Sequence, residues 1–492
     1  MASLKSLFKD TAIYGMSSIV GRFLNYLLVP MYTNVIAASS GGYGIITNIY
    51  SYVALLFVIL TYGMETTFFR FMNKEGEDAR TVYRTILTMV GCTSTLFVAL
   101  VFLFINPITS WMGYADHPSY VWTMAIVIAL DAFQAIPFAY LRYKKRPIKF
   151  AALKLLFIAM NIALNLLFFL VLYDPEIGAG YAFYINLACT STITFFFWKE
   201  LKEGFRLGKK TFDAEGVAVQ SYWIDKALVG RMLSYAWPIL VRGIAGILNQ
   251  TADKILFRNI YTGADADVQL GIYGAAVKIA MIMAMITQAF RYAYEPFVFA
   301  GAKDKNSKEM YSKAMSYFIV FTLIAFLMVV GYMDILKYVI GKDYWEGLRV
   351  VPIVMAAEIM MGITFNLSFW YKLTDSTLWG AVLSGISCAV LLAVNIIFVP
   401  EYGYMACAWG GVAGYGTNMI LSYLVGQKKY PVNYHLPSIF VYVVAAAVGF
   451  YVINFINGLD LALIIRLLLN TVVIAVFALG MLKVMGFKLV RR

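Results

Sequence analysis

The sequence predicts an all-α polytopic membrane protein of about fourteen transmembrane helices, arranged as two parallel six-helix lobes with an additional C-terminal helix pair. Three observations predict it. The 492 residues are 61% hydrophobic and only 14% charged, with a mean hydropathy of +0.74, and no soluble chain of this length buries that much apolar surface in one core. The apolar residues fall into windows of about twenty, the length that crosses a bilayer. Features of the first half also recur, in the same order, about 220 to 230 residues later.

Along the chain the windows run 11–37, 42–71, 82–106, 119–141, 150–172, 178–198, 231–257, 269–298, 312–332, 348–371, 377–399, 403–426, 437–457 and 460–483. They define an N-terminal lobe (1–198), a basic linker (199–230), a second lobe (231–427) and the extra pair (428–492). Lys5 and Lys9 precede the first run as they would in a signal peptide. That run contains Arg22 and Pro30 and continues too far, so it reads as an uncleaved first helix.

The net charge of +13 is not gathered in a basic domain, which argues against nucleic acid as a partner. With the N-terminus inside, about 28 of the 40 Lys and Arg fall in predicted cytoplasmic segments, among them Arg142, Lys144, Lys145, Arg146, Lys209, Lys210, Lys428 and Lys429. Only about three, Arg258, Lys337 and Lys342, fall outside. The bias needs an even number of spans and both termini in the cytoplasm. Cys92, Cys189, Cys388 and Cys407 lie in apolar segments without metal-ligand spacing, and His117 and His435 fall in loops. No metal or cofactor is expected, apart from a coupling cation, Na or H, whose identity the residues leave open. There is no GxxxxGK[ST] phosphate loop for direct ATP drive.

The repeat organises the rest. Tyr43-Gly44, Tyr62 and Glu65 answer to Tyr273-Gly274, Tyr292 and Glu295. Asp131, Phe138 and Lys145 answer to Glu358, Phe365 and Lys372, and Arg22 to Arg242. Asn165 followed by Pro175-Glu176-Ile177-Gly178 answers to Asn395 followed by Pro400-Glu401-Tyr402-Gly403. Six spans is an even number, so both halves enter from the same side and the repeat is parallel.

Ionisable residues inside spans are the candidates for function. Arg22 and Arg242 lie mid-span, where lipid exposure costs roughly 2.5–3.5 kcal/mol each on insertion scales. Two readings follow: internal ion pairs with Asp131 and Glu358, or a positive potential for an anionic substrate between the halves. Lys278 and Arg291 lie nearer the ends of the eighth span, where snorkelling competes with substrate binding. Arg291 and Glu295 also stand i,i+4 on one face and can pair. Glu65 and Glu295, near the ends of equivalent helices, are gate candidates or solvated helix ends. The abundant Phe and Tyr serve either sugar stacking or, more commonly, lipid-facing packing and interfacial belts.

Several segments together resemble the bacterial polysaccharide flippases of the multidrug/oligosaccharidyl-lipid/polysaccharide exporter superfamily. They are Gly15, Arg22 and Pro30 in the opening helix, Gly63-Met64-Glu65-Thr66 with Arg70-Phe71, Asp253, Gly271 with Tyr273, and Asn395 with Pro400-Glu401-Tyr402-Gly403. The resemblance covers most of the chain. It implies two six-helix lobes in a V around a central cavity with alternating access, and fourteen spans look like the lipid II flippases. It also implies that Arg22 and, by position, Lys278 and Arg291 handle a lipid-linked diphosphate.

The expected function is therefore translocation of a polyprenyl-diphosphate-linked oligosaccharide, with no enzymatic step. Substrate binding is expected at Arg22, Arg242, Lys278 and Arg291, and ion coupling or gating at Asp131, Glu358, Glu65 and Glu295. Glycan polymerase or other polysaccharide assembly proteins are the expected protein partners. Two alternatives stand beside it. A multidrug/cation antiporter of the same fold would need an acidic cavity. A membrane-embedded glycan polymerase or ligase would need a substantial external catalytic loop, and the predicted outer loops are short.

Overall fold

The computed structural model describes residues 28–205, 211–212, 218–219, 225–300, 306–374, 376 and 378–485. It is helical throughout except for a two-residue hairpin in the linker, where β1 (Thr211–Phe212) pairs antiparallel with β2 (Ala218–Val219). The chain is an integral membrane protein. Among the described residues ten helices are long and apolar enough to cross a membrane, against fourteen spans predicted. The predicted windows 178–198, 231–257 and 403–426 are helical too, but their helices do not reach that standard of length and apolarity. The first window lies largely outside the described residues.

The chain divides into two compact units, Met1–Asn259 and Ile260–Arg492. In the first, α1 (Leu28–Val35) is followed by α2 (Gly42–Thr61), α3 (Met64–Met72), α4 (Ala79–Leu103) and α5 (Ile105–Met112). Then come α6 (Pro118–Tyr143), α7 (Pro147–Leu170), α8 (Gly180–Phe196), α9 (Trp198–Phe205) and, after the linker, α10 (Lys226–Ile260). Prolines open α6 and α7, where a missing N–H is no loss and the fixed φ is already helical. Asp78 caps α4 by accepting from the Thr81 amide at 2.9 Å and hydroxyl at 2.7 Å. Desolvation works against its charge, yet those Thr81 hydrogen bonds hold the carboxyl below its usual value.

The second span is one predicted window but two helices. Tyr62 and Gly63 take positive φ values of 29° and 73° between α2 and α3. Gly63 is needed there twice over, because a Cβ would also stand 2.9 Å from the Ile239 Cγ2 of α10. Other contacts tie α10 along its length to this unit. Asn48 donates to the Lys254 carbonyl at 2.7 Å, Arg258 donates to the Gly113 carbonyl at 2.7 Å, and Arg231 pairs with Glu77 at 2.7 Å. So α10, which opens the second half of the sequence repeat, is held by the first compact unit.

The core of this unit lies where α3, α4, α6 and the start of α10 meet, around Met64, Phe68, Ile86, Ile136 and Met232. The central helix is α6, with 78% of its apolar window buried. That placement puts whatever polar residues α6 carries inside protein.

The second unit contains α11 (Ala266–Ala300), α12 (Ser307–Gly331), the short α13 (Met333–Leu336), α14 (Val351–Leu367) and α15 (Phe369–Leu373). It continues with α16 (Leu378–Tyr402), α17 (Tyr404–Lys429), α18 (Leu436–Asn457) and α19 (Leu463–Val484). Helices α16 and α17 approach closely through small residues. Ser387 donates to the Gly414 carbonyl at 2.9 Å, and a Cβ on Gly414 would stand 3.0 Å from the Leu391 Cβ. One buried amide helps to fix the C-terminal pair to α12. Asn470 of α19 donates both to the Gly331 carbonyl and to Asn457 Oδ1, each at 2.9 Å. Ile474, Phe477 and Met481 continue the buried face of α19, and most of the helix is otherwise open, with only 17% of its apolar window buried, as suits a lipid-facing helix.

Candidate functional site

Some of the ionisable residues of the spans cluster around two aromatic rings, Phe138 in the first unit and Phe365 in the second. In the first unit, α6 presents Asp131, Gln134 and Phe138 on successive turns of one face. Gln134 donates to the Thr190 carbonyl at 2.9 Å and to Thr194 Oγ1 at 2.7 Å, which fixes α8 against α6. The Thr190 hydroxyl donates to Asp131 at 3.3 Å. Lys154 of α7 lies 4.0 Å from the centre of the Phe138 ring, and its charge acts on Asp131.

Two other acids of the unit are paired with cations. Glu65 forms an ion pair with Arg142, whose guanidinium lies 5.0 Å from the Phe69 ring centre. Glu200, only 1% exposed, receives Lys149 at 2.6 Å and Arg146 at 3.6 Å. The Phe138 ring is buried and makes edge contacts with Phe150 and Phe197 at 5.3 and 4.8 Å. The ring is enclosed, while Lys154 and Asp131 beside it are half-buried.

In the second unit the repeat-related Phe365 of α14 is half-buried, and two cations converge on it. Lys372 lies 4.4 Å and Arg291 4.8 Å from its ring centre, and Lys372 is also 4.9 Å from Phe369. Arg291 is exposed. Behind this pair an aromatic wall runs through Phe369, Tyr294, Phe290 and Phe318, with ring centres 4.9–5.5 Å apart. Two guanidinium or ammonium groups on one aromatic platform can take an anion with charge-assisted hydrogen bonds. The ring offers its face to the cations and no proton to the ligand.

The predicted residues divide as follows. Arg22 lies outside the described residues, as does the side chain of Glu295 on α11. Arg242 is exposed on α10, with no ion-pair partner among the described residues. Asp131 stands near Phe138 with the Lys154 charge acting on it, and Glu65 is paired with Arg142. Arg291 is at the Phe365 platform, and Glu358 is half-buried about two turns earlier on α14. Lys278 is half-buried on α11, about 20 Å along the helix from Arg291, so one helix does not bring the two together. Lys154 and Arg142 were not expected as partners. Lys154 stands only two turns into its helix and reads as an end residue until the turn of α7 toward Phe138 is known. The sequence signal for both clusters is the Phe138/Phe365 match.

A sequence model of the family described as polysaccharide biosynthesis protein matches residues 7–293. The Lsg locus putative protein 1 of Haemophilus influenzae is 18% identical over 407 residues, covering 81% of this chain and 94% of that protein. Among solved structures, the lipid II flippase MurJ in an inward-closed conformation superposes with a TM-score of 0.69 at 13% identity, over 96% of this chain and 98% of its own. An inward-facing MATE-family multidrug resistance transporter of the MOP superfamily gives 0.65 at 14% identity, over 85% and 97%. The fold is thus one that these transporters share. Because the family match spans more than half of its length, this chain belongs to the polysaccharide biosynthesis protein family.

Proposed function

We propose that the chain flips a polyprenyl-diphosphate-linked oligosaccharide from the cytoplasmic to the outer leaflet of a bacterial inner membrane. The observation that carries this reading is the convergence of Arg291 and Lys372 on Phe365 inside a membrane-embedded helical unit. A hydrated glycan with about two negative charges cannot cross hydrocarbon unaided, so translocation needs fixed cations in a polar path. Arg242 and the sequence-predicted Arg22 are further cations proposed to serve an anionic substrate, and Lys278 lies further along α11 from Arg291. Family membership supports a role in polysaccharide assembly, and the fold shared with a lipid II flippase supports a lipid-linked substrate.

The rival cation antiporter would need acids free to bind cations. In the first unit Asp131 lies in the field of Lys154, and Glu65 is paired with Arg142. That disfavours it.

The test is flipping of a lipid-linked oligosaccharide by the purified full chain in proteoliposomes. Arg22→Ala and Arg242→Ala should be nearly inactive and the Lys variants partly active, because Lys keeps charge but loses the planar donor fork. Stable Ala variants flipping at the parent rate would remove Arg22 and Arg242 from the substrate's path. Mass spectrometry of the lipid-linked intermediates that accumulate on depletion identifies the sugar. For orientation, single cysteines at Asp116, Asp265 or Asp343 should react with an impermeant external reagent, and those at Lys145 or Lys428 should not.

A further inference from the structure

A third basic site lies apart from both aromatic clusters, wholly within the first unit. It is a cleft of ≈ 560 Å³ between the end of α3 and the first turns of α10. Arg70, Phe71 and Lys74 form one wall. Gly230, Arg231, Ser234 and Tyr235 form the other. The position of Gly230 is open, since a Cβ there would meet nothing within 4 Å. Three cations thus face one cleft.

One acid serves two of them. Glu77 pairs with Arg231 at 2.7 Å and with Lys74 at 3.7 Å. Arg70 has no acidic partner among the described residues. Its guanidinium instead lies 4.0 Å from the centre of the Tyr235 ring. Stacking uses the face of the guanidinium and leaves the in-plane N–H fork for an anion. The Ser234 hydroxyl lines the same cleft and adds a further donor.

The helix continues the site in apolar form. Gly230, Ser234, Trp237 and Val241 recur at i, i+4, i+7 and i+11, one face of α10. Trp237 is 65% and Val241 44% exposed, so a polar mouth gives way to open apolar side chains further along the helix. A phosphate alone would have no use for those side chains. A phosphate carried on an acyl or isoprenoid chain would use both.

We propose that this cleft binds the phosphate headgroup of an anionic membrane lipid, with the lipid chain lying along Trp237 and Val241. The site is independent of the translocation reading, because binding is measurable whether or not the chain flips anything. The experiment is native mass spectrometry of the detergent-solubilised full chain titrated with phosphatidylglycerol, with phosphatidylcholine of the same acyl chains, or with inorganic phosphate. The parent should retain phosphatidylglycerol over phosphatidylcholine. Arg70→Gln should weaken phosphatidylglycerol by about tenfold, the loss of one charge-assisted contact, while Arg70→Lys recovers part of it. Lys74→Gln, at an exposed position, supplies a second variant with little risk to folding, and thermal melting is followed beside each. Trp237→Ser should weaken the lipid and leave inorganic phosphate unaffected. Equal retention of phosphatidylglycerol by the parent and by Arg70→Gln and Lys74→Gln would overturn the site. Competition by inorganic phosphate, with no effect of Trp237→Ser, would overturn the lipid and leave a free-phosphate cleft in its place.

Discussion

Phe138 and Phe365 occupy matching places in the two halves, and both carry a cation on the ring, but the cations arrive from different elements. Over Phe138 the cation is Lys154, from the following helix, beside Asp131 and in a buried setting. Over Phe365 there are two, Lys372 from α15 and Arg291 from α11, and the ring is only half-buried. The sequence positions matching Arg291 and Lys154 hold no cation in the other half: Thr61 stands about 230 residues before Arg291, and an apolar stretch near Leu383 follows Lys154 at the same offset. The aromatic position is common to both halves, and each half uses it differently. One encloses the ring among core aromatics beside a lysine and an aspartate, the other leaves it half-buried under two cations.

That difference can be broken at its strongest point first. Removing both cations from the open platform (Arg291→Ala with Lys372→Ala) should cut flipping about a hundredfold, the loss of two charge-assisted contacts, with little change in melting temperature. A variant that melts normally and flips like the parent would place the substrate elsewhere. At the Phe138 ring the signature should be the reverse. Lys154→Met leaves Asp131 without its cation and should cost about 2 kcal/mol of stability, and adding Asp131→Asn should recover most of it. Thermal unfolding in detergent reads this. Failure of the double variant to recover would mean that Lys154 acts on something other than Asp131.

A finer comparison substitutes the rings themselves. Phe365→Leu should reduce flipping about fivefold by removing a cation–π face worth about 1 kcal/mol. Phe138→Leu should cost a similar amount in stability, about 1 kcal/mol from core packing, and leave the rate per folded molecule unchanged. Equal effects on rate would mean that both halves carry substrate.

The smallest expected effect is a control away from both rings. Asp78→Ala removes the cap of α4 and should cost about 1 kcal/mol without altering transport by the folded fraction. The folded-state pKa of Asp78 is depressed, so the cap's contribution is present above the unfolded value of about 4 and is lost as pH falls through the folded one. Melting of the parent and the Ala variant should therefore converge in acid and separate toward neutral pH.

Much of this was legible in the residues. The helical windows were readable because a span must be long, apolar and internally hydrogen-bonded, which are properties of a local stretch. Of the candidate site, Arg291, Lys372 and Phe365 were visible as a span-end cation and a repeat match. The pairing of Glu65 with Arg142 was not, since the two are 77 residues apart on different helices. The interruption at Tyr62–Gly63 was also hidden inside one continuous apolar window, although Gly63 itself was in view.

The sequence by itself determined the membrane class, the order of the helices and which residue types were expensive to leave in lipid. Tertiary structure alone decided which of those residues meet. A helix that is apolar on nearly every face carries no signal of which face turns inward, so hydropathy cannot say that α7 turns Lys154 toward Phe138 or that α11 brings Arg291 to Phe365. It could not say either that α10, first helix of the second repeat, is held by Asn48, Gly113 and Glu77 of the first unit. Repeats record how a chain is ordered, and long-range side-chain contacts fix what each helix packs against.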